Sequence, residues 1–127
     1  MSSQVDNLSE LFRLREEFMI ALREKVPETY SKWPMDPTSK ENQIHIRDMV
    51  LRGVEELFES LQHLKNSKPH RQTNMPDFDR EAFLEETVDA FNYFLSVLVL
   101  LGVSSGELME AYEKKHKKIM QRITDGY

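Results

Sequence analysis

A chain of 127 residues with net charge −5 and a pI near 5.4 is large enough for one domain with a modest core. Its acidity argues against a nucleic-acid backbone as the main ligand, because phosphates attract basic surfaces. The absence of cysteine excludes disulfide and thiol chemistry and fits a reducing, cytoplasmic compartment.

Hydrophobic residues make up 39% and charged residues 31%, a balance expected of a helical protein in water. The first residues, Met1 to Asp6, lack the charged-then-apolar pattern of a signal segment. The longest apolar stretch, 91–103, is interrupted by Asn92 and Ser96 and falls short of the roughly 20 residues a bilayer requires. No membrane partner is expected.

The first predicted helix covers 5–26, with Leu8, Leu11, Phe12, Phe18, Met19 and Leu22 as its apolar face. Pro27 ends it. The connection 28–37, with Tyr30, Trp33, Pro34 and Pro37, reads as rigid and aromatic. Thr38-Ser39-Lys40-Glu41 is a capping box that opens a second helix. Ile44, Val50, Leu51, Val54, Leu57, Phe58, Leu61 and Leu64 give that helix an apolar stripe at helical spacing.

The polar segment 66–79 carries the breakers Pro69 and Pro76 and reads as a loop. Asp79 can cap a third helix over 80–101, which Gly102 stops. Ser104-Ser105-Gly106-Glu107 is a second capping box. The helix it opens reaches about Ile123 and uses Leu108, Ala111, Tyr112, Ile119 and Ile123. No internal repeat and no strand pattern interrupts this series. The expectation is one all-α domain over 1–127, a four- to five-helix bundle.

Two acidic pairs carry the chemical signal, Glu56-Leu57-Phe58-Glu59 and Glu86-Thr87-Val88-Asp89. Spacing of i, i+3 on a helix puts both carboxylates of a pair on one face. Two such pairs on neighbouring helices make a cage of oxygen ligands suited to a hard cation such as Mg2+. Taken alone, Glu55, Glu56 and Glu59 look like a solvated helix face opposite the apolar stripe. Helix three differs. Its polar line of Glu86, Asp89, Asn92 and Ser96 crosses an otherwise apolar surface. Carboxylates in such a setting need either basic side chains or a cation between them.

A di-iron carboxylate site needs two Glu-x-x-His motifs, and the chain offers only Glu113-Lys114-Lys115-His116. His45 and His63 read as ordinary helix-surface residues, and the histidines show no clustered ligand spacing. Lys114, Lys115, Lys117, Lys118 and Arg122 either complement the dipole of helix four or clamp phosphate. Lys115 and Arg122 share one face of that helix.

The order Glu56-x-x-Glu59 then Glu86-x-x-Asp89 resembles the signature of the all-α nucleoside triphosphate pyrophosphatase superfamily, which includes MazG-type enzymes and the dimeric dUTPases and dCTPases. The aromatic-rich run after Asp89 and the ending with Tyr112, Lys115, Arg122, Gly126 and Tyr127 are similar to the dimeric dUTPase/dCTPase branch. His116 and Ile119 stand where that branch usually has Asn. Arg15 and Met19 stand on helix one where it often reads uracil with Gln and Asn. A methionine cannot offer the paired donor and acceptor that a pyrimidine edge requires. A dCTP preference, a relaxed range and a modified pyrimidine therefore stay open beside dUTP.

The resemblance implies an all-α NTP pyrophosphatase fold and Mg2+-dependent cleavage of a nucleoside triphosphate between the α- and β-phosphates, with Mn2+ as a substitute ion. Glu56, Glu59, Glu86 and Asp89 would hold the metal, and Glu59 would orient or deprotonate the attacking water. Lys115, Arg122 and Tyr127 would bind the outer phosphates. Asn92, Trp33, Arg15 and Met19 are candidates for the substrate pocket, although Trp33 also suits a core or interface. The family is dimeric, so a homodimer whose interface includes helix one is expected. The alternatives are a broad-range MazG-like house-cleaning pyrophosphatase and a non-catalytic helical interaction module.

Overall fold

The computed structural model describes residues 6–126. The described residues are all-α, with no strand and four helices: α1 (Asn7–Lys25), α2 (Lys40–Leu61), α3 (Arg80–Leu100) and α4 (Ser105–Thr124). No fifth helix occurs among them. No single helix there is long and apolar enough to cross a membrane. The expected start of helix one at Val5 and the candidate Tyr127 lie outside the described residues.

The helix starts are set by side chains that accept orphan backbone N–H groups. Asp6 Oδ1 accepts from Ser9 N–H (2.8 Å), Asp79 Oδ1 from Ala82 N–H (3.0 Å) and Ser104 Oγ from Glu107 N–H (3.1 Å). At α2 the cap is Ser39, not Thr38: Ser39 Oγ accepts from Asn42 N–H at 3.3 Å. Thr38 is taken up by Asp36, whose Oδ1 accepts from both its N–H (2.9 Å) and its hydroxyl (2.7 Å). This local turn outcompetes the capping box by one residue.

The chain divides into two compact units. One comprises the residues up to Met35 together with those from Leu98 onward, and so contains α1, the aromatic connection, the end of α3, and α4. Its buried residues include Phe12, Met19, Tyr30, Met35, Val99 and Leu100. Here α1 packs on α4. Gly102 ends α3 with φ of 75°, while Val103 N–H reaches Leu98 O (2.9 Å) and Gly102 N–H reaches Val99 O (3.0 Å). A Cβ at Gly102 would lie 2.8 Å from Pro34 Cβ, so both conformation and space call for glycine. The connection is held to the helices of this unit by specific contacts. Met35 N–H bonds Leu100 O (2.7 Å), Tyr30 meets Trp33 edge-on, and the Arg23 guanidinium lies 4.3 Å from the Trp33 ring centre.

The other unit, Asp36–Val97, holds α2, the long loop and most of α3. Gly53 on α2 faces Tyr93 and Phe94 on α3, and a Cβ there would come within 3.0 Å of the Phe94 ring. Farther along α2, Gln62 meets Glu86. The pair therefore runs antiparallel, packed closely where glycine allows it. Buried positions on this pair are Met49, Gly53, Ser60, Ala90, Ser96 and Val97.

This inward face is not the one the hydrophobic pattern selects. Ile44, Leu51, Leu57, Phe58, Leu61 and Leu64 are exposed, Phe58 to 66%. Leu84, Val88 and Phe91 are exposed on α3. In the first unit Leu11, Leu14 and Phe18 are exposed on α1, and no described residue of α4 is buried. Apolar stripes of this extent on a water-facing surface call for a further covering surface.

Candidate functional site

Glu56 and Glu86 sit on the inward lines of their helices. At 100° per residue, roughly, Met49, Gly53, Glu56 and Ser60 fall on one line of α2. Glu86, Ala90, Tyr93 and Val97 fall on one line of α3. Both glutamates are half-buried, whereas Glu59 and Asp89 lie on the exposed edges beside them. The antiparallel pairing brings all four carboxylates into electrostatic range.

Burial pushes the Glu56 carboxyl above its ordinary value, and the charges of Glu59, Asp89 and Glu86 push it further, together with a hydrogen bond shared with Glu59. Among the described residues, no group of three or more His, Asp or Glu side chains is gathered closely enough to hold a metal ion as placed. The donor chemistry suits a hard divalent cation, because carboxylates that repel one another gain from a shared positive charge.

The raised Glu56 carboxyl has a consequence for stability. A folded-state value above the unfolded value of 4.5 means that the fold holds this proton more tightly than the unfolded chain does. The contribution to stability is complete below 4.5 and is lost as pH rises through the folded value. Glu56→Gln should therefore raise the metal-free melting temperature at neutral pH, with the gain shrinking on acidification toward 4.5. Thermal unfolding in chelator across pH checks this, and an equal or lower melting temperature at neutral pH would contradict it.

Sequence reasoning missed the residues around Glu86. Gln62 Nε2 lies 3.4 Å from Glu86 Oε1 and 3.5 Å from Oε2. His63 Nε2 lies 3.3 Å from Oε2 without hydrogen-bond alignment. His63 is thus no ordinary surface residue. Its side chain is 18% exposed and that of Glu86 25%. His45 is also half-buried, its Nε2 enclosed without a hydrogen-bond partner. The available signal for His63 was its spacing, four residues after Glu59 and seven after Glu56. Beside it, a pocket of about 380 Å³ is lined in part by His63, Lys65, Asn66, Met75 and Phe78. Asn66 braces its wall, donating to Asn74 Oδ1 (2.7 Å) and accepting from Met75 N–H (3.2 Å).

Asn92 is half-buried on α3 in the same unit. The remaining described candidates belong to the other unit. Met19 is fully buried, with no surface to offer a ligand, and the Arg15 guanidinium lies 4.4 Å from the Phe18 ring centre. Trp33 is half-buried and lines a cleft of about 680 Å³ with Phe12, Ile20 and Val99. Lys115 and Arg122 are exposed on α4, as are His116 and Ile119. No protein-family model matches the chain, and no curated protein or solved structure is significantly similar to it.

Proposed function

We propose that this chain is a Mg2+-dependent nucleoside triphosphate pyrophosphohydrolase of the all-α type, acting on a pyrimidine nucleotide such as dUTP or dCTP. The observation that carries the reading is the Glu56 carboxyl on α2, pushed toward its neutral form by burial and by the charges of Glu59, Asp89 and Glu86, the other members of the two i, i+3 acidic pairs. Carboxylates that raise one another in this way gain from a shared cation.

When bound, a divalent cation supplies neutralisation of the triphosphate and a lower pKa for nearby water. Glu59, at the exposed edge, takes the proton of the attacking water. The water oxygen bonds to the α-phosphorus, the bond from that phosphorus to the bridging oxygen breaks, and pyrophosphate leaves with the electron pair. Outer-phosphate binding is assigned to Lys115, Arg122 and Tyr127 on the resemblance of the C-terminal segment. Asn92 would steady a carboxylate or the sugar.

A second reading, the broad-range MazG-like enzyme, gains from α1. Met19 is buried and Arg15 lies on Phe18, so neither presents a paired amide-like edge to a base. Parallel assays of five deoxynucleoside triphosphates separate the two: one favoured pyrimidine supports the first, comparable rates on several support the second.

The reading includes a homodimer. The exposed stripes on α1, α2, α3 and α4 supply apolar surface for it. Phe58→Glu, on the most exposed of these apolar positions of α2, should weaken self-association at least tenfold by sedimentation. A wild-type monomer with full activity at micromolar concentration would contradict the dimer.

A further inference from the structure

We infer that Gln62 and His63 are positioning residues, which reach from the turn that ends α2 to hold the Glu86 carboxylate in place for a cation. The inference rests on the metal-dependent reading above. Gln62 Nε2 straddles the two oxygens of Glu86 at 3.4 and 3.5 Å. His63 Nε2 approaches Oε2 to 3.3 Å. This nitrogen is enclosed and has no hydrogen bond, a costly state for a buried polar atom. Glu86 Oε2 is the acceptor close at hand.

The backbone that carries the pair is fixed. Gln62 N–H bonds Glu59 O (3.3 Å) and His63 N–H bonds Ser60 O (3.2 Å), which continues α2 as a tight turn. Ser60 is buried, and its hydroxyl donates to Leu57 O at 2.6 Å. The same segment bears Glu56 and Glu59. Gln62 and His63 therefore tie the third carboxylate to the rigid end of the helix that supplies the first two. Holding one carboxylate face by neighbouring donors leaves its other lone pairs aimed, and removing such partners typically costs about 10–100-fold in metal affinity. Lysine or arginine there would set a permanent positive charge against Glu86, whereas the glutamine amide orients it by hydrogen bonding and leaves its charge for the ion.

Mn2+ binding to the full chain, followed by loss of the free-ion electron paramagnetic resonance signal, tests this without turnover. Wild type should bind, and Glu86→Gln should bind far more weakly. His63→Ala and Gln62→Ala should each weaken binding about 10–100-fold, and His63→Gln, which keeps a donor at the Nε2 position, should recover most of it. Thermal unfolding without metal is run on each variant. Wild-type affinity in folded His63→Ala and Gln62→Ala would overturn the positioning role and leave the metal reading intact. Lowered melting with unchanged affinity, the mark of a purely structural role, would overturn it as well. Folded wild type that binds no Mn2+ would overturn the metal reading and this inference together. Should His63→Ala fail to fold, Gln62→Ala and His63→Gln decide.

Discussion

Glu59→Gln should lower turnover about 10²–10⁴-fold while leaving the helical content unchanged. The substitution keeps the shape and removes a charge and a proton acceptor. Glu59 is the carboxylate to choose because it stands exposed on α2, beside the half-buried Glu56, which its charge helps to push up. Losing its charge also removes one of the repulsions that push Glu56 up, so the metal-free fold should be no less stable. Steady-state rates with circular dichroism on the same preparation check both halves. Full activity in the variant would remove Glu59 from the mechanism. A wild type with no activity and an unchanged variant would favour the interaction-module alternative.

Met19→Ala should cost about 2–5 kcal/mol of stability, a large share of what holds a small domain together. Met19 is fully buried on α1, in the unit that also buries Phe12 and Leu100, and the truncation leaves a cavity there. The expectation extends to specificity. A residue with no exposed surface cannot read a base, so the ranking of nucleotides by the folded variant should match wild type. Chemical denaturation gives the first quantity and competition between dUTP and dCTP the second. A loss below about 1 kcal/mol, or a changed base ranking, would place Met19 at a ligand surface instead.

Helix existence and helix ends were legible in the sequence because they depend on neighbours in the chain. Asp79, Ser104 and Gly102 act where their types and positions say they should. The shift from Thr38 to Ser39 has an equally local cause in Asp36, a competing acceptor two residues upstream of Thr38. The inward face was not legible. Periodicity finds an apolar stripe, and it does not say whether the same chain covers it. On α2 the stripe with Leu51 and Phe58 is exposed, while Gly53 and Ser60, which carry little hydrophobic signal, lie buried. Their small size permits the close approach of α3, and that approach turns Glu56 inward.

The carboxylate set was legible from spacing, as four residues on two helices. Their environment was not. That Glu56 would be the one pushed up, and that Gln62 and His63 would stand against Glu86, follows from the register of α2 on α3. Register depends on long-range packing, which no local pattern encodes. His63 lay one turn beyond Glu59, yet a single histidine at a helix end carries no signal until the partner helix is in place.

The most direct test of the central claim is product analysis after incubation of the full chain with dUTP and, separately, dCTP, with and without Mg2+. Monophosphate and pyrophosphate in equal amounts, formed only with the metal and lost in Glu59→Gln, is the expected result. Diphosphate and inorganic phosphate as products, or folded protein that leaves both nucleotides and the three other deoxynucleoside triphosphates intact, would contradict it.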